Sequence, residues 1–383
     1  MTKTPRPTAE EKQKVWEAYR ARRPIRVPVT WGVNPRVVLL DPQWNPRGLA
    51  FEDYFRDARV LVDVQLEFLR YQVEYLNRYS DKPTEWPAKF EFYVDVQNVY
   101  DSAYFGCPVA FREGQVPDVS AILAGKDKER VFALDIDHPL ENPFVRQCLA
   151  RHAAVKKLLP TLSFHGLELG LQPLVWGFDG PLTVATNLRG AELYSDLYED
   201  PDYVARLLEF ITRGVIIRNR VLYEHFGLKA FDKPSGWIAD DSIQLISTDM
   251  YRRQVLPWHR LYLSQWSVAG PHAIHLCGDA ARHFPTIRDE LRVMSFDTGF
   301  PVDHGALRKS LGPDVEILGG PEVALLLRGS PQDIYERTRG ILQSGVMAGG
   351  RFVLREANNL PPGCPQANLE AMYRAALDFG WYR

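Results

Sequence analysis

"HAIHLCGDAARHFPTIRDELRVMSFDTGF", residues 272–300, is the stretch on which the fold turns. An apolar run reaches Cys277 and breaks at Gly278 into a helix start, and a second β-rich run covers 293–298. Strand, helix, strand is the unit of a parallel sheet. Working outward, the alternation recurs. Strands are expected at 25–31, 92–97, 172–178, 236–241, 272–277, 293–298, 315–320 and 351–356. The helix after Asp200 has that residue as N-cap, Pro201 in its first turn and Gly227 as its stop. Ser330, Pro331 and Gly345 repeat the device, and Ser247 or Thr248 caps a third helix. Eight strands alternating with helices predict an α/β chain folded as a (β/α)8 TIM barrel. The chain reads as a single barrel domain, 1–383, with 1–24 and 50–90 as irregular helical additions near the N-terminus.

Composition narrows the function classes. A net charge of −2 over 383 residues gives no basic field for nucleic acid. No run approaches the ~18 apolar residues of a membrane span. The opening "MTKTPRPTAEEKQKVWEAYR" lacks an apolar export core, so a cytoplasmic location is expected. Four cysteines (Cys107, Cys148, Cys277 and Cys364) are too few for a disulfide scaffold in so long a chain, and reduced thiols follow. A homodimer is left open.

Barrel enzymes work where strands end and loops begin. The residues there are Trp31 and Asn34, Asp95, Phe178 and Asp179, Asp240 and Asp241, His275 and Cys277, Asp297, Glu322, Glu356 and Asn358. Converging carboxylates are costly to bury without protons, metals or cations. His275 and Cys277, two apart on a strand, point the same way and could share one ion. Taken alone, the pair is a weak signal and fits a core thiol beside a hydrogen-bonded histidine better. Zinc takes nitrogen, sulfur and oxygen at roughly 2.0–2.3 Å and needs a third ligand. Glu356 is an adequate candidate; Cys364 lies in a plausible loop; Asn358 offers only a neutral carboxamide. Only one of Asp240 and Asp241 can face the strand ends' interior, leaving the other as a cap. Asp297, alone at its strand end, is the better single candidate for proton handling, with a turn cap as its structural alternative. Asn187, Trp31, Phe178 and Asn358 are candidates for substrate contact. Phosphate-loop, dinucleotide, G-x-S-x-G and H-E-x-x-H motifs are absent.

An ordered series of segments then carries a resemblance: "GPLTVATNLRGAELYSDLYEDPDYVARLLEFIT", "DDSIQLISTDMYRRQVLP", "HLCGD", "SFDTGFPVD", "ILGGPEVALLLRGSPQDIYERTRGIL" and "NNLPPGCPQANLEAMY". Together they resemble the uroporphyrinogen decarboxylase superfamily, and within it the corrinoid-dependent methyltransferases. The resemblance implies the same (β/α)8 barrel. It also implies zinc on His275 and Cys277, and a third ligand from the closing segment, where those enzymes carry cysteine and this chain carries Asn358. The decarboxylases carry histidine at that position. They also have an R-Q-A-G-R segment that this chain lacks, and a tyrosine where it has Asn187. Uroporphyrinogen decarboxylation is therefore not expected. The implied activity moves a methyl group between a small O-, N- or S-methyl compound, or a thiol, and a corrinoid (cobalamin). No D-x-H-x-x-G corrinoid signature occurs, so the cobalamin would arrive on a separate corrinoid protein. The metal set is His275, Cys277 and Glu356, with Asp297, Asp240 and Asp241 catalytic. A metal-assisted decarboxylase or lyase on a small acid, and a non-catalytic accessory protein, are the alternatives.

Overall fold

The structure, a computed structural model, describes residues 6–266 and 270–382. Residues 1–5 of the expected N-terminal addition lie outside the described residues. Nine strands are described: β1 (Lys89–Phe92), β2 (Val109–Ala110), β3 (Asp118–Val119), β4 (Glu168–Leu171), β5 (Trp237–Ala239), β6 (His272–Leu276), β7 (Val293–Thr298), β8 (Glu316–Gly319) and β9 (Phe352–Leu354). The last five form one parallel sheet in sequence order, β5-β6-β7-β8-β9. β1 pairs with β4 in parallel, and β2 with β3 antiparallel.

Three expected strands need correction. The segment 25–31 joins β9 only through an isolated parallel bridge, Val29 to Leu354. Pro28 accepts from Leu354 N–H but has no N–H to return, which limits the ladder. The strand expected at 92–97 lies at 89–92. Beyond it, Asp95 accepts from the Gln97 N–H, and Gln97 takes φ +47, so the chain turns. The strand expected at 172–178 lies at 168–171, because Pro173 removes a ladder donor and Val175 N–H closes a local turn on its carbonyl. These segments still line up. Ala239 N–H donates to Phe178, and Gln172 N–H to Phe92. Hydrogen bonds thus run from 28–30 through β9, β8, β7, β6 and β5 to 172–178 and β1.

Alternation along the strands decides what faces where. On β6, Ile274 and Leu276 are buried in the main core, while Ala273 and His275 take the opposite face. On β7, Phe296 is buried with that core, and Ser295 and Asp297 face the same side as His275. A polar layer crosses the lower end of this face. Ser295 donates to Glu316 at 2.7 Å, Arg351 at 3.0 Å, and Tyr19 at 2.7 Å from the helix Ala9–Arg20. The N-terminal addition therefore anchors itself at the N-terminal ends of the strands. The second addition is helical over Phe51–Arg56, Ala58–Arg70 and the turns to Tyr79; 80–88 are not helical, and β1 follows.

Local capping follows the sequence closely. Asp200 accepts from Tyr203 N–H at the head of the helix Pro201–His225, and Gly227 follows its end at φ +69. Ser330 forms a capping box with Asp333 ahead of the helix Pro331–Ile341. Ser247, rather than Thr248, caps the third. No helix among the described residues is long and apolar enough to cross a membrane.

Candidate metal centre

The strand register assembles the site. Ala239 of β5 and Asp297 of β7 flank His275 of β6. Two residues beyond Ala239, Asp241 stands beside Cys277, whose N–H donates to Asp241 Oδ1 at 2.7 Å. His275 Nε2 lies 3.1 Å from Cys277 Sγ, and its Nδ1 lies 2.8 Å from Asp297 Oδ2. One ligand atom each from Asp241, His275 and Cys277 lies within 4.8 Å of the other two. These three form the one such His/Cys/carboxylate group among the described residues.

The chemistry of the donors fits zinc. Imidazole, thiol and carboxylate are its ordinary ligands, and the Asp297–His275 contact is the carboxylate–histidine pairing that orients zinc-bound imidazoles. With Nδ1–H donated to Asp297, Nε2 is bare and turned toward Sγ. Burial would lower the His275 pKa, but the Asp297 hydrogen bond and the charges of Asp297 and Asp241 raise it overall. Burial, then the nearby Asp241 charge, pushes the Cys277 thiol well up, so a metal is what would make it a thiolate.

Cations balance the acids around this group. Arg355 donates to Asp297 Oδ2 at 2.9 Å and to Glu356 Oε1 at 3.0 Å, and also to the Asn358 carbonyl. Asp297 Oδ1 is buried without a partner among the described residues. Arg36, half-buried, lies close enough to sense the charge of Cys277. Two glycines make room. A Cβ on Gly299 would come within 2.6 Å of Cys277 Cα, and one on Gly32 would collide with the Arg355 guanidinium.

The remaining candidates are distributed as follows. Glu356 lies apart from the three-ligand group; it is fully buried and accepts from Gly32 N–H at 2.9 Å and 3.1 Å as well as from Arg355. Burial pushes its carboxyl up to about 8 against those donors. Asp240 is fully buried and caps the helix Pro181–Arg189 through Leu182 and Thr183 N–H, while accepting from Thr183 Oγ1 and facing His259 Nε2 at 2.9 Å. Phe178 is fully buried and packs edge-on against Tyr262, so it offers no surface to a ligand. Trp31 is also core, its Nε1–H on the Tyr79 carbonyl. Asn187 donates to Ser102 Oγ at 3.0 Å. Asn358 takes φ +105, and its side-chain oxygen accepts from Asn359. Cys364 is buried, with Sγ 3.4 Å from the Leu326 carbonyl.

Sequence reasoning missed Arg355 and Arg36, and it placed Asp179 at a strand end without its buried partners. Asp179 accepts from Tyr100 Oη at 2.5 Å, its N–H donates to Asp101, and Asp101 is paired with Arg218 at 2.7 Å. Burial, then the Asp101 charge, raises Asp179 well above the carboxylate range. Tyr100 and Arg218 carry no motif, and only the pairing of distant segments brings them to Asp179.

Parallel strands whose C-terminal ends gather imidazole, thiol and carboxylate define an α/β protein with a candidate metal centre. The uroporphyrinogen decarboxylase (URO-D) family profile matches residues 99–379, and the chain belongs to that family. Among curated relatives, the methylated-thiol–coenzyme M methyltransferase of Methanosarcina mazei is 30% identical over 214 residues, 55% of this chain and 54% of that protein. The methylcobamide:CoM methyltransferase MtbA of Methanosarcina acetivorans is 25% identical over 227 residues, 56% of this chain and 60% of its own length. The matches thus span little more than half of these relatives. A solved methyltransferase from Methanosarcina mazei superposes with TM-score 0.64 at 16% identity, covering 96% of this chain and 98% of that one, and so shares the fold.

Proposed function

We propose that this protein is a zinc-assisted methyltransferase exchanging a methyl group between a small thiol or methylated compound and a corrinoid carried by a separate protein. The observation that carries the reading is the Asp241, His275 and Cys277 group, gathered within 4.8 Å at the ends of β5 and β6. The two methyltransferase relatives, named for coenzyme M, support the thiol as one partner. The eight hydrogen-bonded segments are taken to close as a single (β/α)8 barrel domain, with the metal group at its mouth.

In this proposal Asp241, His275 and Cys277 hold the ion, in place of the set with Glu356. Zinc, when bound, lowers the pKa of a coordinated thiol and polarises a coordinated oxygen. Asp297 orients His275 and fixes its tautomer, rather than moving protons itself, since Arg355 already occupies the same oxygen. Arg355 offsets the Asp297 charge and also donates to Glu356, which keeps these acids from opposing an incoming thiolate. Glu356 fastens the Gly32 turn to the last strand's end. Asp240 holds the helix head that presents the Asp179 loop.

The test mixes zinc-loaded protein with methylcobalamin and a thiol such as coenzyme M, following the cobalt spectrum anaerobically. Loss of the methylcobalamin bands with appearance of cob(I)alamin is expected, and Cys277→Ala abolishes it. A wild type that leaves the spectrum unchanged with every thiol and methyl donor overturns the reading.

A further inference from the structure

A second cleft lies where the helix Pro143–Leu158 passes the short helix Tyr100–Tyr104 and the chain after it. It encloses about 510 Å3, a volume typical of small-molecule sites. None of Asp241, His275, Cys277, Asp297 or Arg355 lines it. Its walls are aromatic. Phe55 and Phe111 meet edge to face at 5.2 Å, and Phe144 and Tyr104 complete the lining.

Into these walls is set one arginine. Phe144, Cys148 and Arg151 share a face of their helix at four- and three-residue spacing, a face that packing alone would fill with apolar groups. Arg151 is only 7% exposed. Its Nη2 donates to the Asp95 carbonyl at 2.8 Å, and its guanidinium lies over the Phe55 ring at 5.2 Å. Its Nε is buried without a partner, and Arg151 makes no ion pair among the described residues. The buried acid Asp95 feels the Arg151 charge without forming an ion pair with it, its carboxylate accepting instead from Gln97 and Tyr54. At the rim, Arg56 is matched by Glu52 at 2.7 Å. Tyr104 Oη is a second buried donor without a partner. A buried guanidinium with an N–H left unsatisfied is expensive unless a further acceptor completes it. Cys107 and Cys148 also line the cleft, but burial pushes both thiols up to about 12, so they serve as neutral wall.

We propose that this cleft binds a small organic monoanion with a flat apolar body, an aromatic carboxylate by class, its carboxylate on Arg151 and its ring among Phe55, Phe111 and Phe144. A single guanidinium without an ion-pair contact suits one carboxylate, and the aromatic rings suit a flat body rather than a hydrated phosphate. The proposal stands independently of the metal reading.

Titration of the full-length protein with 4-fluorobenzoate, followed by 19F NMR, tests it. Saturable binding is expected, with neutral 4-fluorobenzamide at least tenfold weaker. Arg151→Met weakens benzoate at least tenfold, and so does Gln147→Trp, which fills the cleft from an exposed position on the same helix. Should Arg151→Met fail to fold, Gln147→Trp decides alone. Cys277→Ala leaves the affinity unchanged. Absence of saturable binding, equal affinity for the benzamide, indifference to the folded cleft variants, or loss in Cys277→Ala each overturns the assignment.

Discussion

His275 and Asp297 meet because two parallel strands hold them at one level, and the 2.8 Å contact fixes which imidazole nitrogen is free. Removing that orienting carboxylate should weaken metal without dismantling the site. Asp297→Asn is expected to lower zinc affinity roughly 10–100-fold, measured by competition with a chromophoric chelator. An unchanged affinity would deny Asp297 its orienting role. Asp241→Asn should weaken zinc as well; the same substitution at Asp240 should instead cost stability, because Asp240 caps a buried helix head. At this scale the H-x-C pair was legible because strand alternation alone makes i and i+2 neighbours. The choice between Asp240 and Asp241 was not, since it depends on where a neighbouring helix begins. Arg355 was invisible: an arginine before a glutamate at a strand end reads as solvated, and only folding sets it between Asp297 and Glu356.

Helix heads were the most legible elements, because an N-cap and its partners lie within four residues of each other. Asp200→Ala removes the bond to Tyr203 N–H and should cost about 1 kcal/mol, read from urea unfolding. Strands were less legible. The proline at 173 and the Asp95–Gln97 turn displace two expected strands toward the N-terminus, and pairing partners far along the chain decide where the ladders run. The loop after β7 has a tighter constraint. Gly299→Ala would press a methyl group onto the Cys277 backbone, so it should destabilise by about 1–3 kcal/mol and reduce bound zinc. A variant with normal stability and full metal would show that this close approach is not required.

For the whole molecule, two buried histidines work against stability in acid. His283 lies 2.9 Å from the Ile243 carbonyl and 3.2 Å from Thr248 Oγ1, and burial followed by the Arg282 charge lowers its pKa to about 4. Burial, then Arg337, takes His304 to about 4 as well. With folded values below the unfolded ~6.5, the unfolded chain binds more protons between these limits. Their contribution to stability is therefore full above about pH 6.5 and is lost as pH drops toward 4, by on the order of 2 kcal/mol per histidine, against the opposite slope of Glu356, whose raised carboxyl takes its proton first in the folded state. Between about pH 6.5 and 4 the urea midpoint of His283→Gln should therefore fall less, or rise more, than that of the wild type. The same pH dependence in wild type and variant contradicts this. At this largest scale, the parallel α/β class followed from alternation of strand and helix. The docking of the expected N-terminal helix at the strands' lower ends did not, because its Tyr19 finds Glu316 across 297 positions.

The most direct measurement is zinc-edge X-ray absorption on the metal-loaded protein without thiol substrate. A shell with one sulfur near ~2.3 Å and nitrogen or oxygen near ~2.0–2.2 Å, losing its sulfur in Cys277→Ala, is predicted. A wild type that retains no stoichiometric zinc, or whose zinc carries no sulfur or two, contradicts the Asp241–His275–Cys277 centre.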